Sequence, residues 1–144
     1  MSLPAGVVAW LRLARVYEKL ERRAQAYLRC HNLSLAQFDV LAQVGIREGC
    51  TQQELAEALL VTKGNVTQLL DRMEEAGWLT RRQEGRTKRV SLTPAGRGLR
   101  ERVVPAQERF MARQLASLSP AEQRQLAALL RALDRSLRAE EDFK

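Results

Sequence analysis

The chain has 144 residues, a net charge of +7, and is 45% hydrophobic and 28% charged. That suits one domain with a buried core, and no apolar run approaches the ~20 residues needed to span a bilayer. With two cysteines, a single histidine and no CxxC spacing, no structural metal site is expected. No Ser/His/Asp set and no glycine-rich phosphate loop is present either, so neither catalysis nor a cofactor is expected.

The N-terminus has no basic segment followed by a long apolar run, which predicts a cytoplasmic protein with Cys30 and Cys50 as reduced thiols. Ser2 is a plausible cap for a first helix reaching about Arg29. Within it Trp10, Leu13, Tyr17, Leu20, Ala24 and Tyr27 form a narrow apolar seam at alternating three- and four-residue spacing. His31-Asn32 breaks this pattern. Ser34 with Gln37 reads as a capping box for a second helix, with Leu35, Phe38, Leu41 and Ala42 inward and Gly49 as its stop.

Thr51 with Glu54 is a second capping box. It opens a short helix to about Leu59, with Leu55, Ala56 and Leu59 inward. Thr62 is the next cap, and Val66, Leu69, Leu70 and Met73 form the buried stripe of the helix that follows. Two helices joined by so short a turn match a helix-turn-helix. Past Ala76-Gly77 the period changes. Val90 and Leu92 alternate with polar residues, and a turn at Glu84-Gly85 joins that strand to Trp78–Arg82.

Thr93-Pro94 starts the next helix, with Leu99, Val103, Ala106 and Phe110 as its stripe and Pro105 as a kink. Ser119-Pro120-Ala121-Glu122 starts the last helix, with Leu126, Leu129, Leu130, Leu133 and Leu137 on one side.

The basic residues concentrate on and just after the hairpin, which favours a polyanionic partner. Gln68 and Asn65 have the amides that pair with adenine, and Lys63 or Arg72 suits guanine or phosphate. Thr62, Thr67 and the helix-start N–H groups suit phosphates, and Gly64 lets the backbone approach closely. On the hairpin, Arg86 suits a narrow minor groove. Arg81, Arg82, Lys88 and Arg89 are expected to hold phosphates, which position rather than specify.

Four pieces carry a family resemblance: Leu35-Ala36-Gln37-Phe38-Asp39-Val40-Leu41, Gln53-Glu54-Leu55-Ala56-Glu57, Val66-Thr67-Gln68-Leu69-Leu70-Asp71-Arg72-Met73-Glu74, and Val90-Ser91-Leu92-Thr93-Pro94-Ala95-Gly96. In this order and spacing they resemble the MarR family of winged-helix regulators. The wing departs from the family's Asp-Arg-Arg triplet. Glu84-Gly85-Arg86 stands there, so the wing is short and lacks the middle arginine, and Gln68 stands where the family often has a basic residue.

The resemblance implies a mainly α fold with a small β-hairpin wing: a winged helix-turn-helix over residues 33–98, flanked by a helical dimerisation region at 1–32 and 99–144. Its function would be that of a sequence-specific regulator of transcription. Such a homodimer places its recognition helices in successive major grooves of a roughly palindromic operator, with half-sites about 10 bp apart. The resemblance also implies a repressor that releases DNA when a small aromatic or phenolic effector binds; it assigns no ligand residues. Two alternatives are a winged-helix module that binds protein and a regulator in which Cys30 senses redox state.

Overall fold

The computed structural model describes residues 2–59 and 65–141. The elements in order are α1 (Ala5–Arg29), α2 (Leu35–Ile46), β1 (Cys50–Thr51), α3 (Gln52–Ala58), α4 (Val66–Glu75), β2 (Leu79–Glu84), β3 (Thr87–Leu92), α5 (Pro94–Gln114) and α6 (Pro120–Glu141). They fall into two compact units, residues 1–110 and 111–144. The fold class expected from the sequence is the one observed, with one addition. The hairpin is part of a three-stranded antiparallel sheet of order β1-β3-β2. At two residues, Cys50-Thr51 is too short for an alternating pattern to show; its pairing with Val90 and Arg89 defines it.

Both capping boxes near the start are real. The Ser34 hydroxyl accepts from the Gln37 N–H at 3.1 Å while the Gln37 side-chain oxygen Oε1 accepts from the Ser34 N–H at 3.0 Å. Thr51 and Glu54 do the same. Each pair satisfies donors that a helix start leaves unmatched. The expected Ser2 cap is not found: α1 begins after Pro4, with no side-chain cap. A proline just before a helix serves there because its fixed φ suits the entry and it lacks an N–H.

The core of the first unit gathers Leu28, Val40, Leu41, Val44, Leu55, Leu70, Met73, Leu79, Val90 and Val103, all nearly or fully buried. On α2 the inward side is centred on Val40, Leu41 and Val44, with Leu35 and Phe38 only half-buried. On α3 Leu55 is buried, but Ala56 faces solvent. A helix this short presents little more than one residue per turn to a neighbour. In α5 the Phe110 ring stacks on Tyr27 of α1, with centroids 4.4 Å apart and planes at 10°. The helix continues through Pro105, whose ring leaves the Glu101 carbonyl without its helical donor.

The second unit is secured at its start by Ser119 and Glu122. The carboxylate accepts the Ser119 N–H at 2.8 Å, and that bond holds its pKa below the usual carboxylate value. This bond stabilises the start of α6 above the unfolded carboxylate pKa. The contribution is lost as pH falls through the lower folded one.

Two positions make the packing testable. A Cβ on Gly96 would stand 1.8 Å from the Trp78 carbonyl oxygen, so α5 meets the residue before β2 backbone to backbone. Gly96→Ala should cost about 1–3 kcal/mol by overpacking, and Gly6→Ala, with nothing nearby, should not. Thermal unfolding followed by circular dichroism separates them. Gln107 is fully buried, and its amide has no partner among the described residues. A buried amide left unpaired costs ~1–3 kcal/mol, so Gln107→Met should leave the melting temperature unchanged or raise it.

Candidate nucleic-acid interface

The candidate interface is built on α4 and the β2–β3 hairpin. In α4, Leu70 and Met73 are buried, and Val66 and Leu69 are packed against the core. That fixes the opposite side outward, where Thr67, Gln68 and Arg72 are exposed. Asn65 is the cap of this helix: its side-chain oxygen accepts the Gln68 N–H at 3.1 Å. That oxygen is half of what an asparagine needs to pair bidentately with adenine. The Gln68 side chain, one turn further on, has no such capping role and is exposed. The expected residues Thr62, Lys63 and Gly64 lie outside the described residues, so the expected cap at Thr62 lies there too.

Thr67 has a partner that sequence reasoning missed. The Gln52 side-chain amide, at the first position of α3, donates to its hydroxyl at 3.0 Å. This bond links α3 to α4 and fixes where the Thr67 hydroxyl stands. Only proximity in space reveals it, since the two residues are 15 apart in sequence.

The hairpin register assigns the basic residues to faces. Leu79 pairs with Leu92, Arg81 with Val90 and Gln83 with Lys88. Between them Thr80 pairs with Ser91, Arg82 with Arg89 and Glu84 with Thr87. Opposed residues share a face and neighbours alternate. Val90 and Leu92 are in the core, so Arg81 points inward with them, and Gln83 and Lys88 continue that face past the core. Arg82, Glu84, Thr87 and Arg89 occupy the outer face. Gly85, with φ +62°, and Arg86 make a two-residue loop. Glycine at its first position admits the positive φ that such tight loops require. Arg86 stands at the tip, as the sequence suggests.

Arg81 is a correction. The sequence suggests that it holds phosphate, but its side chain is only 9% exposed and lies beneath α4. Its guanidinium pairs with the Asp71 carboxylate and reaches Glu74 at 3.3 Å. Its backbone N–H donates to the second Glu74 oxygen at 3.0 Å. Burial disfavours the cation, but the hydrogen bonds and charge of Asp71 and Glu74 outweigh it and raise its pKa. The signal lay in the sequence: Arg81 is two residues from Leu79, and a pleat of period two puts them on one face.

The other hairpin cations are exposed. Glu84 Oε2 lies 3.2 Å from Arg89 Nε and 3.8 Å from Arg82 Nη2. Arg89 also donates to the Gly49 carbonyl at 3.0 Å. Arg86 and Lys88 form no ion pair among the described residues. Beyond the hairpin, Arg97 pairs with Glu48 at 3.4 Å. Arg100 Nε donates at 3.1 Å to the Leu41 carbonyl of α2, in space left by Gly45. Both tie α5 to α2 and the turn that follows it. Of the two thiols, Cys30 is exposed and Cys50 buried, with burial pushing the Cys50 pKa up.

Comparisons with known proteins agree with this fold. The profile of the MarR family matches residues 31–90. An HTH-type transcriptional regulator of Bacillus cereus (strain ZK / E33L) is 38% identical over 107 residues, 74% of this chain and 73% of that protein. A MarR-family transcriptional regulator from Silicibacter pomeroyi superposes with a TM-score of 0.79 at 28% identity, over 92% of this chain and 94% of its own. A mutant of MarR from Escherichia coli, complexed with operator DNA, superposes with a TM-score of 0.78 at 28% identity, over 92% of this chain and 99% of its own.

The position of Arg81 leads to a stability prediction. Arg81→Ala removes a nearly buried cation from two carboxylates that are about half exposed. The cost should be roughly 1–3 kcal/mol, below that of a fully buried pair. Arg82→Ala, at an 84% exposed side chain, should stay within about 0.5 kcal/mol. Urea denaturation of both variants checks the contrast.

Proposed function

This chain belongs to the MarR family of HTH-type transcriptional regulators, and from that premise we propose that it binds double-stranded DNA sequence-specifically as a homodimeric repressor. The family is one of regulators rather than enzymes. The observation that carries the DNA reading is the outward face of α4. Gln68 and Arg72 are exposed there, on a helix tied through Arg81 to a hairpin tipped by Arg86. In this reading α4 enters the major groove, Gln68 reads adenine and Arg72 takes guanine or phosphate. Thr67 and, as the sequence suggests, Thr62 contact phosphates, Lys63 takes guanine or phosphate, and Gly64 lets the backbone approach closely. Arg86 enters the adjacent minor groove, and Lys88, Arg82 and Arg89 face phosphates.

The dimer reading is supported by apolar surface that each unit leaves open. On α1, Trp10 is 76% exposed, and Leu13 and Tyr17 about half. On α6, Leu129, Leu133 and Leu137 are exposed at helical spacing. Stripes of this kind call for a partner, and residues 1–32 and 99–144 serve as the dimerisation region in this reading. The dimer acts in the cytoplasm on a roughly palindromic operator. A small aromatic or phenolic effector weakens its hold, a coupling of ~1–3 kcal/mol changing affinity ~5–150-fold. No helix among the described residues is long and apolar enough to cross a membrane.

Selection of bound sequences from a random duplex pool should return a palindrome with half-sites about 10 bp apart. Gln68→Ala should relax base choice at one position in each half-site at a cost of ~1–3 kcal/mol. Arg86→Ala should lower the salt slope of binding by ~0.9 for each phosphate that the side chain neutralises. The absence of any duplex binding at low salt would refute the DNA reading. A single-copy mass in sedimentation equilibrium would refute the dimer.

A further inference from the structure

The outer face of the hairpin carries two arginines and one carboxylate. The register sets Arg82 opposite Arg89 and Glu84 opposite Thr87, so Glu84 is diagonal to Arg89 and two residues along from Arg82 on the same face. A single carboxylate oxygen, Glu84 Oε2, lies 3.2 Å from Arg89 Nε and 3.8 Å from Arg82 Nη2. All three side chains are substantially exposed, at 84% for Arg82, 54% for Glu84 and 43% for Arg89. The hairpin does not depend on this carboxylate for its shape. Its loop is held by other side chains on main-chain carbonyls, with the Thr87 hydroxyl donating to the Glu84 carbonyl at 2.9 Å and the Gln83 side-chain amide to the Gly85 carbonyl at 2.9 Å. Arg89 keeps a second anchor on the Gly49 carbonyl.

We propose that Glu84 is an internal counter-ion that limits the affinity of this hairpin for DNA. The inference rests on the reading that the hairpin faces phosphates. A guanidinium offers carboxylate and phosphate the same donors. In the free protein Glu84 takes the place beside Arg82 and Arg89 that phosphate takes in the complex. Binding must either displace the carboxylate or carry its negative charge within a Debye length of the backbone. Either way the two outer-face arginines count for less than two full phosphate partners. Arg86 and Lys88, outside this cluster, engage phosphate at full strength. Glu84 thus makes the protein weaker on non-specific DNA, where binding is almost wholly electrostatic, and leaves base reading to α4.

The test measures binding to a short mixed-sequence duplex over a salt series, for the natural chain, Glu84→Gln, Arg82→Ala and the double variant. The amide in Glu84→Gln keeps the shape and an acceptor for Arg89 while removing the charge. It should bind roughly 2- to 10-fold tighter at low salt, with a steeper salt slope. Arg82→Ala should lower the slope by well under ~0.9 in the natural chain, where Glu84 shares the arginine, and by ~0.9 in the Glu84→Gln background. Thermal melts confirm that each variant is folded. A purely structural Glu84 would give the opposite result, a lower melting temperature and weaker binding. Equal or weaker binding by folded Glu84→Gln overturns the proposal. So does a fall of ~0.9 in slope for Arg82→Ala in the natural chain, a measurement that decides even if Glu84→Gln fails to fold. If the natural chain binds no duplex at low salt, the DNA reading itself fails, and that result is distinct from either of these.

Discussion

The alternation of β3 is the constraint on which the rest of the site depends. Val90 and Leu92 must face the core, and a pleated strand then assigns every other residue of the hairpin to a side. Arg81, opposite Val90, is carried inward. Arg82, Glu84 and Arg89 are carried outward together, and Arg86 is left at the tip. A slip of one residue would bury Arg82 and Arg89 and expose the valine and leucine. The hydrophobic cost of that slip holds the charges in place more firmly than any ion pair among them, since exposed pairs contribute only ~0–1 kcal/mol each.

Arg81 converts this constraint into a tie between elements. As a nearly buried cation it requires anions, and α4 supplies Asp71 and Glu74 three residues apart on the flank facing β2. The same helix turns Gln68 and Arg72 outward. One end of the interaction thus belongs to the hairpin and the other to the helix read as the recognition element, so it ties the two together. Gln52 does similar work at the other end of α4 through Thr67. Glu48 and Arg100 bind the start of α5 to the sheet and to α2.

The charge pattern then divides into two kinds of cation. Arg81, Arg97 and Arg100 are held within the fold by carboxylates or carbonyls. Arg86 and Lys88 are outside such contacts among the described residues, and Arg82 and Arg89 share Glu84. A count of basic residues along the sequence overstates the electrostatic surface, because it weighs these groups equally.

Much of the fold could be read directly from the sequence. The capping boxes at Ser34 and Thr51, the cap at Ser119 and the stripe Val66-Leu69-Leu70-Met73 are local signals, made by residues three or four apart, and the structure has them at those positions. The hairpin and its tip at Arg86 follow from alternation and a glycine. What only the tertiary structure decided depends on residues distant in sequence. The strand at Cys50-Thr51 exists because β3 pairs with it. Asn65 caps α4, and Ser2 caps nothing, because a cap depends on which conformation the flanking backbone adopts. Arg81 is a brace because Asp71 and Glu74 come to lie above it, and Thr67 is oriented by a glutamine on another helix. Local periodicity fixes which way a side chain points; which groups meet it there is set by the packing of elements whose separation along the chain carries no pattern to read.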